Sequence, residues 1–201
     1  MFGLTTTELR QLKRLTTPIK IQDYLDRLPI NFEENGYSYM SPRRVLRERR
    51  AHCLEGALLA AAALWVNGEP PLLLDLKTLD HDDDHVVALY RRGGRWGAIS
   101  KTNHASLRFR DPIYRSVREL AASYFHEYFI NRTGEKTLRS FSSPLRLKKF
   151  GSDWVTAEAD LDFIAEALDA LPHQSLYPRA NEMFIRKADP MERRAGEITE
   201  W

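Results

Sequence analysis

Residues 51–68 read AHCLEGALLAAAALWVNG, and residues 84–103 read DHVVALYRRGGRWGAISKTN. From Cys53 to Val66 the chain is apolar nearly all round, and Asn67-Gly68 ends the run as helices commonly end. A helix with no solvated face is expected to be buried on most sides. Gly56 and the alanines let neighbouring backbone come close. In the second stretch, Val86 to Tyr90 and Arg95 to Ser100 flank Gly93-Gly94, a strong hairpin signal. A buried helix packed on an antiparallel sheet is therefore expected, in the α+β class.

Outward from this centre the signals are weaker. Ser41-Pro42 is a helix start, with Ser as N-cap and Pro at the first helical position. The helix it opens carries Arg43, Arg44, Arg47, Arg49 and Arg50, read as a solvated face. Leu9 to Leu28 reads as a helical lead-in interrupted by Pro18. Pro71 to Leu76 (PLLLDL) reads as a strand. The apolar spacing from Arg115 to Ile130 predicts a helix with Val117, Leu120, Tyr124 and Tyr128 on one face and His126 as a core histidine. A strand is expected within 137–150, an amphipathic helix from Ala157 to Leu171, and a last strand over Asn181 to Lys187. With no repeat and no linker, 1–201 reads as one domain. Its core spans about 40–130, followed by a helix and strand extension over 131–201.

Composition excludes several classes. Hydrophobic residues make up 43% of the 201, ordinary for a globular chain, and the net charge is only +2. That balance gives no electrostatic case for nucleic acid or a membrane surface as a partner. The longest apolar run, Ala57 to Val66, falls far short of the roughly 20 residues that span a bilayer. The N-terminal stretch lacks the apolar segment of a signal peptide. The single cysteine forms no intramolecular disulfide, so the expectation is a soluble cytoplasmic protein.

The chemistry sits at the ends of the central elements. Cys53 opens the buried helix, where unpaired N–H groups and the helix dipole favour a thiolate and could bind an oxyanion. The basic lead-in RERRAH acts in the same direction. His85 opens the first hairpin strand, after Asp82-Asp83-Asp84. A helix-start Cys beside a strand-start His is what a thiol nucleophile with a general base requires. The acidic run Asp80 to His85 offers oxygen and imidazole ligands to a metal, but a solvated loop explains it as well, and no metal or cofactor is assigned.

Over about residues 45–105 these features resemble the transglutaminase-like superfamily, of the papain-related cysteine proteinase fold. There a Cys opens a helix, a His opens a strand, and an acidic residue follows a tryptophan on the next strand. The resemblance implies that His85 deprotonates Cys53 for attack on a peptide, protein or small amide or ester substrate. In this chain the acidic position is Ser100. Asn103 is an alternative partner for His85, as Asn is in papain-like sites, and Asp111 is a third option. Trp96 and Ser100 share one face of a regular strand, whereas Asn103 falls on the other. Glu55, Trp96 and Lys101 are candidates for the substrate side, with a buried partner, core packing and a hydrogen-bonded turn as their respective structural alternatives. Two functions follow: a thiol-dependent hydrolase or acyltransferase, or a catalytically inactive binding module that keeps the fold.

Overall fold

A computed structural model describes residues 2–33 and 36–199. The chain begins with two short helices, α1 (Thr6–Arg14) and α2 (Pro18–Asp26), each started by a threonine cap. In α1 the cap is reciprocal, Thr5 with Glu8. Helix α3 (Pro42–Glu48) starts at Ser41 and stops at Arg49, which takes a left-handed conformation. Helix α4 (Cys53–Val66) follows, and its residues Leu54 to Leu64 are all buried.

The strands are β1 (Leu72–Lys77), β2 (His85–Arg92), β3 (Arg95–Ile99), β4 (Arg110–Tyr114), β5 (Ser140–Ser142), β6 (Leu145–Arg146) and β7 (His173–Ser175). They form an antiparallel sheet in the order β4-β3-β2-β1-β5-β7, with β6 also paired to β1. The β2–β3 hairpin closes at the pair Arg92–Arg95, and Gly93 and Gly94 both take positive φ. Glycine adopts such a positive-φ two-residue turn at no steric cost.

Both faces of the sheet are covered. Leu73, Ala88, Tyr90 and Ile99 pack with α4 and the N-terminal helices. Leu74, Val87 and Ala98 pack on the other face with Leu120 and Tyr124, from and just after α5 (Val117–Ser123). Strand β1 is thus buried on both sides, which is why it reads as an unbroken apolar run.

Several outer elements differ from expectation. The helix expected over 115–130 ends at Ser123. The Tyr124 hydroxyl bonds the Arg108 carbonyl and the Tyr128 hydroxyl bonds Asp83, so a single regular helix gives way to a path that sends the rings to separate anchors. His126 is exposed rather than a core histidine. The helix expected from Ala157 is α6 (Asp162–Asp169), because the Asp160 carboxylate is held by the Tyr39 N–H and Arg44. Residues 181–187 do not form a strand. Arg179–Phe184 is a 3-10 turn with Met183 and Phe184 exposed, and β7 takes the sheet edge instead. Strand β4 carries Pro112, which its edge position tolerates. A final helix, α7 (Pro190–Gly196), is started by an Asp189–Glu192 capping box. Among the described residues no helix is long and apolar enough to cross a membrane.

Candidate active site

Cys53 is the first residue of α4 and is partly exposed. The residue before it, His52, is the N-cap. Its Nδ1 accepts from the Leu54 N–H at 3.3 Å and lies 4.0 Å from the Cys53 Sγ, while Nε2 donates to the Ser38 carbonyl at 2.7 Å. Glu55 completes the capping box by accepting from the His52 backbone N–H at 3.0 Å. The ring of His52 therefore occupies a helix-start N–H that could otherwise hold an oxyanion. The Cys53 N–H, beside its own sulfur, is not taken by the ring.

His85 is buried at the start of β2, and its Nε2 lies 2.8 Å from the Ser100 Oγ. The Ser100 hydroxyl donates its one hydrogen to the Leu107 carbonyl at 2.5 Å, so its oxygen accepts from His85. This places the His85 proton on Nε2 and leaves Nδ1 as the acceptor. Leu107 adopts a left-handed conformation (φ 59°), and its N–H donates to Glu127, which is ion-paired with Arg110.

His52, 4.0 Å away, and His85 both act on the Cys53 sulfur. Burial of the thiol opposes ionisation, but hydrogen bonds and electrostatic interactions with His52 and His85 outweigh it and bring Cys53 down to about 5. Burial also disfavours charge on His52, yet the Cys53 sulfur, Glu55 and the Ser38 carbonyl raise it to about 9. These groups open into a cleft of about 690 Å³, walled also by Asn103, Tyr128, Tyr39 and the C-terminal Gly196.

The structure therefore brings Cys53, His85 and Ser100 together. Asn103 lines the cleft, but the far nitrogen of His85 is already taken by Ser100. Asp111 lies on the edge strand β4, away from this contact. Lys101 borders the cleft with its side chain buried along α4, its Nζ bonded to the Leu28 carbonyl. Glu55 is fully buried and accepts from Asn31, Ser38, Met40 and His52, so it organises the helix start and does not face substrate. Trp96 sits near the hairpin turn beneath Arg91 and packs at the rim of the far core, outside the cleft lining.

The residue that sequence reasoning missed is His52. Its signal was the pattern His-Cys-x-Glu at the mouth of an apolar helix, a capping box with imidazole in the cap. Of the acidic run, Asp84 joins Asp75 and Asp169 in a group whose carboxylate oxygens lie within 4.8 Å of one another. The Lys77 ammonium bridges Asp84 and Asp169, and His173 bonds Asp75, so each carboxylate of the group has a side-chain partner from the chain itself. The chain matches no protein-family model and no curated protein.

Proposed function

We propose that the chain is a thiol-dependent hydrolase or acyltransferase with Cys53 as nucleophile. The observation that carries this reading is a partly exposed thiol at a helix start, flanked by two imidazoles and held near 5. At pH 7 such a thiol is ionised, and the thiolate is lost only as pH falls through about 5. The thiolate adds to an amide or ester carbonyl, and the S–C bond forms as the carbonyl π pair moves to oxygen. The Cys53 N–H, at the positive end of α4, faces that oxyanion. The thiol proton, held on a flanking imidazole, passes to the leaving amine or alcohol as its bond to carbon breaks. His85 Nδ1 then takes a proton from an incoming water or amine, which attacks the thioester and expels Cys53. Ser100 fixes the tautomer of His85 that this step uses.

A second reading, a module that keeps the fold without turnover, draws on Ser100, a neutral residue where the resembled family has a carboxylate. One experiment separates the two. The protein is incubated with p-nitrophenyl acetate and a panel of peptide amides, and intact mass is followed with product release. The enzyme reading expects an acyl adduct on Cys53, absent in Cys53→Ala and accumulating in His85→Ala because deacylation slows. An adduct that forms but never turns over in the unmodified protein favours the binding module. An ordinary iodoacetamide inflection near 8.5 for Cys53 would overturn the nucleophile assignment.

A further inference from the structure

The two imidazoles beside the sulfur stand in different surroundings. The far nitrogen of His85 rests on a neutral hydroxyl. The far nitrogen of His52 lies 2.7 Å from the Ser38 carbonyl, 3.4 Å from the Glu55 carboxylate and 3.8 Å from that of Glu33. An imidazolium needs acceptors and negative charge around its outer N–H, and among the described residues these surround the outer N–H of His52. We propose that His52 holds the proton of Cys53 at rest, with Glu55 and Glu33 supplying the negative charge that Ser100 does not supply to His85. The inference rests on the nucleophile reading of Cys53 and assigns the charge within that site.

The arrangement divides the work of a single Cys–His pair between two rings. The proton leaves Sγ and binds His52 Nδ1, giving a thiolate and an imidazolium with no net change in charge. Nδ1 then donates to the sulfur and gives up the long 3.3 Å contact with the Leu54 N–H, which is freed at the mouth of α4. His85 keeps Nε2 on the Ser100 oxygen, so Nδ1 is the nitrogen that accepts a proton from the incoming water or amine. Among the described residues, the groups that face His52 are Cys53 and Glu55 on its own helix, Glu33 from the segment after α2 and the Tyr39 ring at 6.2 Å, and His85 acts on the same sulfur. Glu55 is fixed by its buried donors, so the negative charge beside His52 is built into the fold. The raised value of His52 agrees with this direction.

The lone cysteine makes the test specific, since iodoacetamide alkylation reports Cys53. The rate is measured from pH 4 to 10 in the unmodified protein, in His52→Asn and in His85→Asn. Asparagine keeps an N-cap but cannot carry the proton. The expected result is that His85→Asn retains the low inflection. His52→Asn moves it up toward about 8 and slows alkylation at pH 6 at least about tenfold. The reverse pattern, with His85→Asn losing the low inflection and His52→Asn keeping it, overturns this inference while leaving the nucleophile reading standing. An ordinary inflection in the unmodified protein overturns both. If His52→Asn fails to fold, the imidazole nitrogen resonances of the unmodified protein decide. A doubly protonated ring at pH 7.5 that persists in His85→Asn and is lost in Cys53→Ser supports His52, and its disappearance in His85→Asn rejects it.

Discussion

The Ser100 hydroxyl makes two hydrogen bonds that need a donor and an acceptor in one side chain. It donates to the Leu107 carbonyl and accepts from His85 Nε2. A carboxylate in the same place could receive the imidazole proton but would set an acceptor against the Leu107 carbonyl oxygen. The serine at the position where the resembled family has an acid is thus coupled to the loop that carries Leu107, itself held in a left-handed conformation by Glu127. Removing the hydroxyl in Ser100→Ala leaves a buried imidazole N–H and a buried carbonyl without that partner. A loss of about 1–3 kcal/mol is expected in urea unfolding, together with slower deacylation. Ser100→Asp should cost no less, because the carbonyl repulsion replaces a lost bond. An Asp variant as stable as the unmodified protein, with faster turnover, would show that the loop yields and that the hydroxyl is replaceable.

At the scale of elements, α4 is placed by what its small residues allow. A Cβ on Gly56 would lie 2.4 Å from the Lys101 Cβ and 3.0 Å from its Cγ. Lys101 cannot swing away without leaving the Leu28 carbonyl, since its side chain is buried along its length. Alanine gains about 1 kcal/mol over glycine in a helix interior, whereas overpacking costs about 1–3 kcal/mol. Gly56→Ala is therefore expected to lower the urea midpoint, and an equal or higher midpoint would show that Lys101 moves freely. The central elements were legible because they are punctuated and periodic: α4 runs from Cys53 to Val66 as read, and the hairpin turns at Gly93-Gly94. The outer ones were not, because tertiary anchors override local pattern. The apolar spacing beyond Ser123 is helical, yet Tyr128 is drawn to Asp83. Edge strand β4 contains a proline that argues against a strand unless its edge position is known. In the site, Cys53, His85 and Ser100 could be read from their places at element ends. His52 passed as part of a basic lead-in, and the donors that fix Glu55 lie 24 and 17 positions upstream, at Asn31 and Ser38.

Over the whole molecule, the cleft is assembled from segments far apart in sequence, and its last wall comes from the C-terminus. The segment after Asp189 contributes Gly196 to the cleft and is pinned there by backbone and side-chain bonds. The Asn131 amide donates to the Gly196 carbonyl at 2.7 Å, the Ala105 N–H donates to Ile198, and His104 bridges to Thr199. A Cβ at Gly196 would meet the Asn131 Oδ1 at 2.2 Å, so the approach needs glycine. These contacts brace the 102–107 loop, whose end carries the Leu107 carbonyl that orients Ser100. Among the described residues of the segment, 190–199, none belongs to or packs against either buried cluster. Removing residues 190–201 should therefore leave the far-UV spectrum and cooperative unfolding in place, at a cost of a few hydrogen bonds of about 1 kcal/mol each. The cleft should open. Alkylation of Cys53 by a bulky maleimide should accelerate several-fold relative to iodoacetamide, while ester turnover falls as the Leu107–Ser100–His85 chain loosens. A truncated chain that unfolds would show that the segment belongs to the core. One that folds with an unchanged ratio of the two rates would show that Gly196 does not limit access to the sulfur.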